Sequence, residues 1–272
     1  LNKFHVWFPG GIVIGALATN FMNSFGLGWQ LKIAIMILPT LIYGYMFFKA
    51  LFPKSENIDT DTSNNIKSLF TPLFIFVAVC MTLTATTELG TQQWLQPLLE
   101  KSGASPMLIL AMVTGIMAVG RYFAGPIVHK LNPIGVLFMS AIVSTVAIYM
   151  MSIVDGTMLY GASILFAFGV CYFWPTMIGF VSEYMPKTGA LGMSLVGGMG
   201  MFATGIWNPI IGSWIDTNTQ TALDSGLTQD LAEIAAGKAT LGNMTYFPLI
   251  LIVFFGILFL NRKNLEKLRV NG

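Results

Sequence analysis

The chain has 272 residues, 55% of them hydrophobic and only 10% charged, with a formal net charge of +2 and a mean hydropathy of +0.72. A soluble domain carries roughly 25% charged residues, so this composition excludes a soluble globular enzyme. The small charge, held in short basic groups beside apolar runs, excludes an extended nucleic-acid-binding surface and serves membrane orientation instead. The class is all-α, a polytopic membrane protein with the lipid bilayer as its solvent and no nucleic-acid partner. Cys80 and Cys171 fall inside apolar runs without metal-ligand spacing and read as buried thiols.

In chain order, the opening LNKFH leads straight into WFPGGIVIGALATNFM, with no initiator methionine, charged n-region or cleavage site, and reads as a start inside a longer protein. Apolar runs then predict eight transmembrane helices, at about 5–24, 29–52, 69–96, 105–127, 133–153, 157–185, 190–215 and 244–260. With the N-terminus in the cytoplasm, the inside holds Lys3, Lys49, Lys54, Lys67, Arg121, Lys130, Lys187, Arg262, Lys263, Lys267 and Arg269, all but three of the 14 basic residues. Lys32, Lys101 and Lys238 remain outside. This bias predicts a multi-pass protein of a cytoplasmic (inner) membrane with both termini cytoplasmic.

Two connections are long. KSENIDTDTSNNIK, from Lys54 to Lys67, reads as a cytoplasmic linker that separates two spans from the six after it. Asp216 to Asn243 contains LTQDLAEIAAGKATL, too polar to insert, and is expected to form an external surface helix without a transport role.

Two spans, a central linker and six further spans look like the back part of a twelve-span transporter. The motifs agree. Gly115, the run Gly120-Arg121-Tyr122-Phe123-Ala124-Gly125-Pro126 and His129-Lys130-Leu131-Asn132-Pro133 resemble the Gly/Arg-rich turn between paired helices of the major facilitator superfamily, with His129 where an acid is usual. Asn2-Lys3-Phe4-His5-Val6-Trp7-Phe8-Pro9-Gly10-Gly11 is similar to the opening of the fifth helix in the fucose-permease-like branch. Trp174-Pro175, followed by Ser182-Glu183-Tyr184-Met185-Pro186-Lys187-x-Gly189, resembles the end of the tenth helix of sugar-type facilitators, with Lys187 where arginine is usual.

The resemblance implies a twelve-helix fold of two six-helix halves, with substrate bound between them near the midplane. This chain would hold helices five to twelve: residues 1–53 as the last two helices of the N-terminal half, 54–68 as the linker and 69–272 as the C-terminal half. The first four helices would be missing and needed for function. It also implies gating roles for Gly120 and Arg121 at a cytoplasmic turn, and for Glu183 and Lys187 as a cytoplasmic latch.

The residues nominate a site of their own. On the third span Thr84, Glu88 and Gln92 recur at i, i+4 and i+8, with Gln93 and Trp94 just around the turn. Amides hydrogen-bond hydroxyls in both directions and an indole covers the apolar face of a sugar, although such a stripe also serves as interhelical glue. Glu88, close to the outer boundary by helix rise, reads as a substrate or gate residue, a proton-coupling carboxylate or a hydrated rim group. On the sixth span Phe168, Tyr172 and Thr176 are expected to share a face beside Trp174. There Pro175 removes a backbone donor and frees a carbonyl one turn earlier, predicting a kink. Asn208-Pro209 on the seventh span pairs an amide with another freed carbonyl. Asn20 and Asn23 are placed to line the cavity from the first span, and Gly11 and Gly15 to pack closely. His5 reads as a hydrogen-bonding residue rather than a proton carrier.

The predicted substrate-binding set is therefore Glu88, Gln92, Gln93, Trp94, Trp174, Asn208 and Asn20. No phosphate-binding loop, metal spacing or Ser/His/Asp set is present, so the chain is not expected to be an enzyme, to bind a cofactor or to use ATP. The expectation is a secondary active transporter of a small polar solute, a sugar first, with a co-transported proton. An organic anion or nucleoside carrier of the same fold, and a non-transporting scaffold or receptor, are the alternatives.

Overall fold

The computed structural model describes residues 2–51, 62–99 and 106–269. Among these residues every regular element is helical. A bilayer offers no water to unpaired backbone groups, so each crossing must close its own hydrogen bonds. Seven described segments are long and apolar enough to cross a membrane, and an eighth, Leu108–Tyr122, is apolar but shorter.

Helix α1 (Trp7–Ser24) follows a 3-10 turn at Phe4–Val6, and the chain turns over Gly26, whose φ of 65° suits a residue without Cβ. The second crossing is α2 (Trp29–Ala34) and α3 (Ile37–Lys49), neither with a buried residue. Leu38, Leu41, Ile42 and Phe48 are all exposed, as befits a helix that is apolar all round and set in lipid or against other helices. A Cβ on Gly11 or Gly15 would meet nothing within 4 Å. Among the described residues nothing packs closely on that pair. Of the predicted linker, residues 54–61 lie outside the described residues; its end forms α4 (Thr62–Leu69), which lies against the 3-10 turn Pro186–Thr188.

The third crossing begins with Pro72, whose fixed φ suits a first helical turn. It runs as α5 (Pro72–Ala85), a π-helical turn at Thr86–Gly90 and α6 (Thr91–Leu99). The wider turn holds more backbone per revolution, and the hydroxyls of Thr86 and Thr87 donate to the Thr82 and Leu83 carbonyls at 2.8 and 2.7 Å.

The return crossing is α7 (Pro106–Tyr122) continued by the first part of α8 (Ala124–Ile153). Its reversal lies at Asn132, with φ 54° and ψ 168°, where the side-chain Oδ1 accepts the Gly135 N–H at 2.9 Å and Pro133 opens the next helix. Arg121 was expected at this turn. It stands 11 residues (132 − 121) earlier, about 16 Å of helix inside the bundle. Asn132-Pro133, not the glycines, ends the helix.

The next crossing is α9 (Met158–Val170) and α10 (Phe173–Tyr184), broken at Cys171-Tyr172. Helix α9 lies so close to α8 that a Cβ on Gly169 would stand 2.7 Å from the backbone nitrogen of Ser144. The break also divides a face predicted to be shared: Phe168 is exposed while Tyr172 and Thr176 are buried.

Helix α11 (Gly189–Asp224) has 36 residues, about 54 Å against a hydrocarbon core of ~30 Å. Its partner α12 (Gln229–Met244) doubles back along it and continues through α13 (Tyr246–Leu260) as one crossing. The stretch expected to be a surface helix is thus the upright beginning of the last span. Its small residues explain this: Ala232, Ala236, Gly237 and Thr240 are buried, and Asn218 on α11 donates to Thr240 Oγ1 at 3.1 Å. Lys238 pairs with Asp155 at the same end. The chain closes with α14 (Arg262–Leu265) and a 3-10 turn at Glu266–Leu268. Phe74, Met81, Phe166, Phe173, Phe180 and Phe255 anchor the core of this six-span bundle.

Candidate functional site

The π turn presents Glu88 to α7, where its Oε1 accepts a hydrogen bond from Arg121 Nη2 at 2.9 Å. Both residues are 1% exposed. Neither charge is tolerable alone in a low-dielectric interior, where the effective penalty is several kcal/mol per ion. Each is the other's counter-ion.

Arg121 has a second anchor that the backbone creates. In an unbroken helix the carbonyl of Cys171 would accept the N–H of residue 175; Pro175 has none. Arg121 Nε donates to that freed oxygen at 2.8 Å, and Nη1 reaches the His5 carbonyl at 3.4 Å. Three arms of one guanidinium thus tie together α7, the broken α9–α10 crossing, the π turn and the first span. Gly120 permits the approach: a Cβ there would lie 2.7 Å from Cys171 Sγ, and Tyr172 donates its hydroxyl to the Gly120 carbonyl at 3.1 Å.

Two cavities meet at Arg121. One, of about 150 Å³, is lined by His5, Phe8, Glu88, Leu89, Trp174 and Met201 together with Arg121. The other, of about 270 Å³, lies toward the Lys/Arg-rich end of the bundle and includes Asn2, Lys3, Gly125, Thr176 and Glu183 with Arg121. An acid and a cation buried within apolar crossings are costly to keep there, and here both lie beside cavities on broken helices.

The family profile described as Major Facilitator Superfamily matches residues 3–209. The chain belongs to the major facilitator superfamily. No characterised protein and no solved structure matches it. It is a multi-pass membrane protein of a transporter family rather than of an enzyme family.

In this facilitator the nominated residues fall into three groups. Glu88 and Trp174 share the smaller cavity. Gln93 and Asn208 meet one another, Asn208 Nδ2 donating to Gln93 Oε1 at 2.8 Å, which links α6 to α11 beyond that cavity. The remainder face elsewhere. Gln92 continues the stripe from Glu88 and donates Nε2 to Met117 Sδ at 3.2 Å, so it packs against α7. Trp94 lies over Gly212, where an added Cβ would be 3.6 Å from the indole. Asn20 is exposed on α1, and Asn23 accepts from Lys32.

Glu183 and Lys187, expected to act together as a latch, form no ion pair with one another among the described residues. Glu183 pairs with Arg269 at 2.9 Å, Tyr184 donates its hydroxyl to Glu266 at 3.0 Å, and Lys187 is exposed. Through Arg269 and Glu266 the C-terminal segment is fastened to the end of α10. The side chain of His129 lies outside the described residues.

Sequence reasoning missed the Glu88–Arg121 pair, the Cys171 carbonyl as its support and the contributions of Phe8 and Met201. The signal for the first two was present. A residue before proline resists helical geometry, which ends the fourth span at Asn132 and draws Arg121 inside.

Proposed function

We propose that the protein is a secondary active transporter that moves a neutral polyhydroxylated solute, a sugar, by alternating access and is coupled to a proton. The observation that carries this reading is the sealed Glu88–Arg121 pair opening on a cavity faced by Trp174. A neutralised acid–cation pair offers hydroxyl groups both acceptors and donors without demanding a charged ligand, and an indole covers their C–H face. An organic anion would need an unengaged cation. Arg121 is engaged by Glu88, Cys171 and His5, which favours the neutral solute.

Glu88 is the coupling group in this proposal. A proton delivered to its carboxylate removes the charge that holds Arg121 and loosens the tie between the crossings, so solute and proton move in one cycle. The Lys/Arg-rich end faces the cytoplasm: with Arg121 counted inside the membrane, nine basic residues among the described ones still lie there against Lys32 and Lys238. The six spans from Leu69 onward act as one half of the carrier, and the first two spans belong to the other.

Counterflow of radiolabelled L-fucose, D-galactose, D-xylose and D-glucose in membrane vesicles carrying the full-length gene product tests the substrate class. At least one should accumulate, and a protonophore should abolish its net uptake. Correct insertion without counterflow of any of the four would overturn the sugar reading, whereas uptake that persists with protonophore and requires sodium would overturn the coupling.

A further inference from the structure

We infer that the cavity of about 270 Å³ on the Lys/Arg-rich side of Arg121 is a second solute station, built for a hydroxylated ligand and separated from the central one by the Arg121 guanidinium. The inference rests on the proposed transport of a polyhydroxylated solute and extends it along the path.

The wall of this cavity contains polar groups that the protein leaves unused. Thr176 is 4% exposed, lines the cavity, and its Oγ1 has no hydrogen-bond partner among the described residues. Asn2 Oδ1 is likewise buried without one. An unmade buried hydrogen bond is unfavourable by about 1–3 kcal/mol. Both residues line one space, so a ligand entering it is placed to satisfy them.

Their chemistry selects the ligand. A hydroxyl both donates and accepts, and an amide oxygen accepts, so a solute hydroxyl can bridge them. Glu183 in the same wall is held by Arg269, and Lys3 stands 5.6 Å from the Tyr122 ring. Opposite charges in one wall favour a neutral guest over an anion. Space is provided at Gly125, where an added Cβ would meet nothing within 4 Å.

Geometry gives the station its place in the cycle. Each cavity alone is smaller than the ~300–1,000 Å³ of typical small-molecule sites. Because Arg121 belongs to both walls, its release from Glu88 joins them. The solute then passes from Trp174 to Thr176 across one moving side chain.

The test separates the station from the substrate proposal. In inside-out vesicles, Thr176→Val should raise the half-saturation concentration for the transported sugar by about fivefold, the loss of one hydrogen bond. It should leave the value from the opposite face unchanged, and Thr176→Ser should restore it. Gly125→Leu, which fills the space, should impair the same face selectively. Equal effects on both faces, or none, would overturn the station. A readout without transport uses Thr176→Cys and a membrane-impermeant methanethiosulfonate. Labelling from the Lys/Arg-rich side only, slowed by the sugar that gives counterflow, is expected. Labelling that the sugar does not slow, or no labelling from that side, would overturn it. If none of the four sugars shows counterflow, the substrate proposal fails, and sidedness of labelling alone decides whether the station exists.

Discussion

Among the described residues two acid–arginine pairs have the same separation and opposite surroundings. Glu88 and Arg121 meet at 2.9 Å with side chains 2% and 1% exposed. Glu183 and Arg269 also meet at 2.9 Å, with side chains 39% and 42% exposed. Distance alone would rank them equal. In the interior the pair neither gains nor loses much relative to an apolar replacement, but losing one partner strands a charge and is destabilising by about 3–5 kcal/mol. At the half-exposed end water screens the charges, and such a pair contributes about 0.2–1 kcal/mol. The inner pair is therefore the one in which each charge depends on the other, and the outer one is a light fastening of the C-terminal segment to α10.

The largest effect should come from breaking the inner pair. Arg121→Met should lower stability to thermal unfolding in detergent by about 3–5 kcal/mol and abolish counterflow. Adding Glu88→Leu should recover most of the stability and none of the transport. A double variant as unstable as the single one would show that Arg121 serves packing rather than charge. Next in size is Pro175→Ala, which returns an N–H to the Cys171 carbonyl. Competition for that oxygen should weaken the Arg121 bond, a charged one of about 1.5–3 kcal/mol before the helix's own gain is set against it. Slower counterflow at unchanged insertion is the expected reading. Unaltered rates would dismiss the carbonyl as a support.

Smaller still is the Gln93–Asn208 contact. A double-mutant cycle with alanine at both positions should give a coupling of about 0.5–1.5 kcal/mol, and additive losses would remove the contact from the protein as it exists in membranes. The smallest effect belongs to the outer pair. Arg269→Gln should shift stability by less than about 1 kcal/mol, and the shift should vanish at high salt. Lys187→Gln should do nothing. A reversed order between those two variants would return the latch to Lys187.

How much of this is legible in the sequence depends on the range of the interaction involved. The eight apolar runs can be read locally, because span length and hydropathy are properties of consecutive residues, and the described residues place a helix at each of them. Pro175 is equally local: the missing N–H predicts a break and a freed carbonyl, and both are found at Cys171. What fills the carbonyl is not local, since Arg121 lies 50 residues away. Glu88 and Arg121 are 33 residues apart. Their meeting depends on the two crossings running antiparallel and in one register. The stripe of Glu88 and Gln92 is real as a face, but periodicity does not say what a face looks at; here it looks at Arg121 and Met117 on α7. Residues 229–243 show the opposite failure. Averaged over the window they are polar, yet the small residues on one side of α12 are buried. A helix can enter a bundle by one face that its mean composition hides.

The π turn at Thr86–Gly90 carries a consequence for how this crossing can change. It holds one residue more than an α-helical connection requires, as a single insertion would leave behind. Deleting one residue there would let α5 and α6 fuse into a regular helix, rotating everything beyond Gly90 by about 100° relative to α5. Gln92, Gln93 and Trp94 would lose Met117, Asn208 and Gly212 together, while Phe74 and Met81 kept their places in the core. One surplus residue thus sets the angular phase between the two ends of a single crossing.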